Sequence, residues 1–121
     1  MKWIKSFGYA FNGLRKAWTD QRNLRIHGGV MALALALGFY FKIRPWEWCT
    51  IILIGALVIA LELINSAIEN LTDLITPEQN PSAGKIKDIS AAAVLVAAVA
   101  SIIIGVIIFG KYFLKFLNLV S

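Results

Sequence analysis

The chain has 121 residues, a length that suits one domain, and combines 59% hydrophobic with 16% charged residues at a mean hydropathy of +0.72. That balance excludes an ordinary soluble domain and points to a membrane protein. The net charge of +5 does not point to nucleic acid, because the basic residues are thinly spread and flank apolar segments, where they orient the chain and meet lipid headgroups.

In chain order, residues 3–18 place Trp3, Phe7, Ala10, Phe11, Leu14, Ala17 and Trp18 at spacings of three and four. Lys2, Lys5, Asn12, Arg15 and Lys16 fall mostly off that stripe. The pattern predicts an amphipathic helix lying in the membrane interface, rings in the acyl boundary and basic side chains at anionic headgroups. Lys2 and Lys5 are followed by this amphipathic segment rather than an apolar one, with no cleavage pattern, so no signal peptide is expected. Residues 19–27 (TDQRNLRIH) supply polar groups ahead of a first apolar stretch at 28–41.

The connector 42–48 (KIRPWEW) reads as a turn at the outer interface, with Glu47 in solvent. A second apolar stretch, 49–61, begins with Cys49, which cannot pair internally and reads as a small core residue. Its helix is expected to continue into the cytoplasm until Pro77 and Pro81 stop it. The segment 76–88 then reads as a cytoplasmic loop carrying Lys85, Lys87 and Asp88. Residues 89–110 form a third stretch, long enough to cross a core of about 30 Å unaided. A helix apolar on every side needs lipid around it, and a chain this short cannot bury it otherwise.

The expected architecture is therefore all-α, a surface helix followed by three transmembrane helices. Residues 1–121 form one integral membrane domain, with 1–25 as surface helix and cytoplasmic segment and 26–121 as the three-span bundle. Lys2, Lys5, Arg15, Lys16, Arg22, Arg25, Lys85 and Lys87 share one side, which the positive-inside rule places in the cytoplasm together with the N-terminus.

The second helix holds the chemistry. Glu62, Asn65, Ser66, Glu69 and Asp73 fall within one stripe about 100° wide at helical periodicity. A polar seam between helices accounts for Asn65 and Ser66. It accounts poorly for three carboxylates on one face, which repel one another unless a cation or shared protons compensate. A divalent cation held by oxygen ligands, with phosphate oxygens completing its shell, supplies that compensation. The remaining polar candidates, Asp20, Gln21, Arg22, Arg25, Lys85, Lys87 and Asp88, lie on the side where ATP is found. The set suits phosphoryl transfer to a lipid hydroxyl, which needs positioning, charge neutralisation and a base. No Walker A motif or kinase-type Gly-rich loop is present, and Gly28-Gly29 is not one. The alternative is a non-catalytic membrane protein, either a cation or proton conduit lined by the same stripe or a degenerate kinase subunit.

The stretches ELINSAIENLTDLI at 62–75, AGKIKDISAAAVLV at 83–96 and GYAFNGLRKAW at 8–18 closely resemble the small prokaryotic integral membrane kinases, the diacylglycerol and undecaprenol kinase family. The E-x-x-N-S-A-x-E-x-x-x-D pattern is highly specific, and the similarity spans nearly the whole chain. The resemblance implies a homotrimer in the bacterial cytoplasmic (inner) membrane that uses ATP and Mg2+ at sites shared between subunits. The acceptor would be undecaprenol or diacylglycerol, in phospholipid or envelope lipid-carrier metabolism.

By resemblance, Glu62 and Asn65 are the catalytic pair, base and hydrogen-bonding neighbour, and Glu69 is a metal ligand. Lys87, Asp88, Asp73 and Tyr9 belong to the nucleotide site, although Asp88 also reads as a helix cap and Tyr9 as an interfacial aromatic. Ser66 and Arg25 are assigned to the lipid substrate. Where the family usually has a second metal-binding glutamate, this chain has Gln21, a weaker and neutral ligand, beside Asp20. His27 reads as an interfacial residue, and RNLRIH resembles the undecaprenol kinase branch more than the other.

Overall fold

The computed structural model describes residues 1–120. Four helices follow one another: α1 (Lys2–Asp20), α2 (Arg22–Phe41), α3 (Pro45–Ile75) and α4 (Pro81–Val120). The last three are long and apolar enough to cross a membrane, which makes this a multi-pass membrane protein.

Each boundary has a local cause. Gln21 is extended (φ −110°, ψ 108°) and separates α1 from α2. The Arg25 guanidinium reaches back to donate to the carbonyls of Trp18 (2.7 Å) and Thr19 (2.9 Å), oxygens that the end of α1 leaves without helical partners. Lys42 ends α2 in the left-handed region (φ 52°), its N–H donating to the Gly38 carbonyl. Pro45 starts α3 at a position that suits its fixed φ. Thr76 ends that helix ahead of Pro77. Asn80 opens α4, its Oδ1 accepting from the N–H groups of Ser82 (2.8 Å) and Ala83 (3.4 Å).

Several sequence expectations shift. Helix α2 begins at Arg22, so most of the polar lead-in is helical. Pro81 starts a helix as well as following one, so the loop shrinks to residues 76–80 and Lys85, Lys87 and Asp88 lie inside α4. Asp88 is therefore in the helix interior and not a cap. Cys49 is exposed rather than in the core.

At 1.5 Å per residue, the 40 residues of α4 extend about 60 Å, twice the hydrocarbon thickness. Its ends accordingly outrun the third apolar stretch in both directions, and the far end overturns the reading of Glu47. Instead of facing solvent, Glu47 is fully buried. Its carboxylate meets Lys111 Nζ at 2.8 Å, accepts from the Tyr112 hydroxyl at 2.5 Å and accepts from the Arg44 backbone N–H at 3.0 Å. Lys111 also sits over the rings of Trp46 and Tyr112, at 5.4 and 5.2 Å from their centroids.

Helices α3 and α4 form an antiparallel hairpin, as shown by three pairings whose numbers rise on one helix while falling on the other. These are Glu47 with Tyr112, Asn65 with Ser90 and Asp73 with Lys87. The apolar core sits toward the Glu47 end, where Ile43, Ile51, Ile108 and Phe109 are buried among Leu37, Phe41, Trp48 and Tyr112. Close approach there depends on Gly38, because a Cβ on it would stand 2.7 Å from the Trp48 ring. At the other end, Trp18 of α1 lies equally tightly on Gly28 of α2. The remaining aromatic residues of the α1 stripe, Trp3, Phe7 and Phe11, are exposed.

Candidate active site

The polar stripe of α3 lies at the end of the bundle opposite that core, where α4 covers it. Glu62, Asn65 and Ser66 are buried, Glu69 is half-buried and Asp73 is exposed. Burial therefore fades along the stripe over about 16 Å, the helical rise from 62 to 73.

Glu62 is 2% exposed. The Ser66 hydroxyl donates to its backbone carbonyl at 3.0 Å and leaves the carboxylate untouched. The side chain facing that carboxylate is the His27 imidazole of α2, Nε2 to Oε2 3.8 Å. A buried carboxylate with so little around it is expensive unless something else completes its environment.

One turn on, Asn65 is gripped from two sides. Its Oδ1 accepts from the Ser90 hydroxyl of α4 at 2.6 Å, and its Nδ2 donates to Glu69 Oε1 at 3.5 Å. Glu69 keeps its second oxygen available. Beyond it, Lys87 of α4 pairs with Asp73. An ammonium has three donors, so one given to Asp73 leaves two for another anion.

Two spaces flank this line of groups. A cleft of about 520 Å³ opens at the α3–α4 turn, lined by Asp73, Glu78, Gln79, Asn80, Gly84 and Lys87. A narrower apolar groove of about 250 Å³ begins at His27 and runs past Val30, Met31, Ile54 and Val58 toward Phe109.

The structure thus brings Glu62, Asn65, Ser66 and Glu69 together on α3, with Asp73 and Lys87 joined one to two turns away. Tyr9 and Asp88 are exposed, and no hydrogen bond or ion pair joins either to the others among the described residues. Arg25 is occupied with the end of α1. Gln21 is half-buried at the α1–α2 break, and Asp20 is exposed beside it. Sequence reasoning missed Ser90, because a serine in an alanine-rich run reads as close packing. It also missed the partnership of His27 with Glu62, for which no local pattern exists.

Magnesium needs few protein oxygens when phosphate supplies the rest, and the free oxygen of Glu69 fits such a site. Among the described residues there is no group of three or more His, Cys, Asp or Glu side chains suited to enclosing a metal by themselves.

Residues 8–109 match the family model described as prokaryotic diacylglycerol kinase. The undecaprenol kinase of Bacillus subtilis (strain 168) is 39% identical over 108 residues, covering 89% of this chain and 88% of that protein. The diacylglycerol kinase of Escherichia coli (strain K12) is 33% identical over 110 residues, covering 91% and 90%. That of Helicobacter pylori (strain ATCC 700392 / 26695) is 33% identical over 111 residues, covering 92% and 84%.

Proposed function

The chain belongs to the prokaryotic diacylglycerol kinase family, and from that membership we propose how its polar stripe serves the reaction. The protein is a lipid kinase, phosphorylating a lipid alcohol with ATP as co-substrate. Undecaprenol and diacylglycerol are the acceptors to which the relatives' names point.

The observation that carries the proposal is the buried Glu62 carboxylate, 3.8 Å from the His27 imidazole that lines the apolar groove. A lipid tail in that groove brings its hydroxyl to Glu62. The carboxylate takes the hydroxyl proton, the alcohol oxygen bonds to the γ-phosphorus, and the bond from that phosphorus to the β,γ-bridging oxygen breaks as ADP leaves. Lys87, anchored by Asp73, gives its remaining donors to phosphate oxygens. The cleft at the α3–α4 turn is the space assigned to the nucleotide. Asn65 is assigned to direct an N–H into the site, and Ser66 to the lipid substrate.

Magnesium, held by Glu69 and phosphate oxygens, would neutralise charge on the transferring group. Tyr9 and Asp88 are assigned to the nucleotide from a neighbouring subunit of a homotrimer, a reading supported by their standing apart from the Glu62 group within one chain. The aromatic stripe of α1 is assigned to the cytoplasmic leaflet, and Arg25, which caps that helix, to the lipid substrate. Purified protein given labelled ATP, magnesium and a panel of lipid alcohols tests this directly. Label should enter at least one of them, and transfer to none would refute it.

A further inference from the structure

Six hydroxyls on these helices, those of Ser6, Thr19, Thr50, Ser66, Thr72 and Ser101, donate to a carbonyl three or four residues back in their own helix. That is the default for Ser and Thr in a helix, where the hydroxyl finds an acceptor on the preceding turn. Ser90 departs from it. Its hydroxyl crosses from α4 to α3 and donates to Asn65 Oδ1 at 2.6 Å, in a buried environment. It thus forgoes the acceptor that was always within reach.

The consequence falls on Asn65. A carboxamide has an acceptor end and a donor end, and rotating it by half a turn exchanges them. With Oδ1 held by Ser90, the NH2 end must point along the stripe toward Glu69 Oε1, 3.5 Å away. The opposite orientation would put the amide oxygen against the Glu69 carboxylate, two acceptors with no proton between them. It would also cost the Ser90 hydroxyl its Oδ1 acceptor, leaving it to accept from the amide NH2 instead. One N–H goes to Glu69 and the second is free to meet charge developing on a transferring group.

We propose that Ser90 is a positioning residue, which fixes the Asn65 amide so that its donors face Glu69 and the site. The inference rests on the lipid kinase reading above. It adds a group from α4 that touches no substrate yet sets how α3 presents its amide. Donors aimed before the reaction begins avoid reorganisation in the transition state, so the effect should appear in kcat more than in KM.

The test compares Ser90→Ala, Ser90→Thr and Asn65→Ala with the unaltered protein, and adds the double variant S90A/N65A. Ser90→Ala is expected to lower kcat about five- to tenfold, the size of one lost hydrogen bond, with KM for ATP changed less than about twofold. Ser90→Thr, which keeps the hydroxyl, should recover most of that loss. Adding Ser90→Ala to Asn65→Ala should cost nothing further, because the residue through which it acts is gone. The side-chain amide NMR resonance of Asn65, identified by its loss in Asn65→Ala, should shift in Ser90→Ala and stay in place in Ser90→Thr. Unchanged kcat in Ser90→Ala, equal losses in Ser90→Ala and Ser90→Thr, or the same fall on the Asn65→Ala background would each overturn the proposal. An unaltered protein that phosphorylates no lipid would instead overturn the kinase reading, and the inference with it.

Discussion

Glu62 and His27 face each other across α3 and α2 with 3.8 Å between nitrogen and oxygen, while the carboxylate is otherwise sealed from solvent. Replacing His27 with Leu removes the imidazole nearest the proposed base. The expected result is a fall in kcat of about tenfold with KM for ATP little changed, measured by steady-state kinetics in micelles. Lys87→Ala should act the other way, raising KM for ATP about tenfold or more, since the ammonium is proposed to meet bound phosphate. Gln21→Glu restores a hard, charged oxygen at the α1–α2 break and should lower the magnesium concentration that gives half-maximal activity. The stripe from Glu62 to Asp73 was legible in sequence because helical periodicity alone aligns it. The partners Ser90 and His27 were not, because they belong to other helices and depend on how those helices dock.

At the scale of elements, the α3–α4 hairpin is fastened by polar groups at both ends, with the Asn65–Ser90 bond between α3 and α4 closer to the turn. Near its turn the fastening is Asp73 with Lys87, and at the far end it is Glu47 with Lys111 and Tyr112. Glu47 looked like a solvated turn residue, because its burial depends on α4 continuing past the third apolar stretch. The continuation has no sequence mark other than a helix-compatible tail without proline or glycine after Gly110. Because Glu47 is buried, Tyr112→Phe or Lys111→Ala leaves its charge short of a partner, a loss of about 1–3 kcal/mol. Both variants should unfold at lower temperature. Their kcat should match the unaltered protein, since this cluster lies 15 residues, or about 22 Å along α3, from Glu62. Pro81 shows a second limit of local reading: the same residue that stops a helix can also begin one, and here it moved Lys85, Lys87 and Asp88 from an expected loop onto α4.

For the whole molecule, the division of polar and apolar groups sets an orientation. The Glu62 end, with most of the Lys and Arg, faces the cytoplasm in our proposal, and the short α2–α3 turn at Lys42 faces outward. A membrane-impermeant maleimide should therefore label Lys42→Cys in intact cells of a Cys49→Ser background and should leave Glu78→Cys unlabelled until the cells are opened. The reverse pattern would invert the protein. The number and order of the three membrane-spanning helices were readable from hydrophobic runs, whereas the assignment of Tyr9 and Asp88 to a neighbouring subunit goes beyond a single chain. Chemical cross-linking in membranes should give a trimer.

The mechanism turns on Glu62 as the proposed base for phosphoryl transfer to a lipid alcohol. Label transfer from ATP to lipid, measured for the unaltered protein and for Glu62→Gln at matched thermal stability, tests it most directly. Magnesium-dependent transfer is expected of the first and a loss of about 100-fold or more in the second. A folded Glu62→Gln protein that transfers phosphate at the unaltered rate would contradict it.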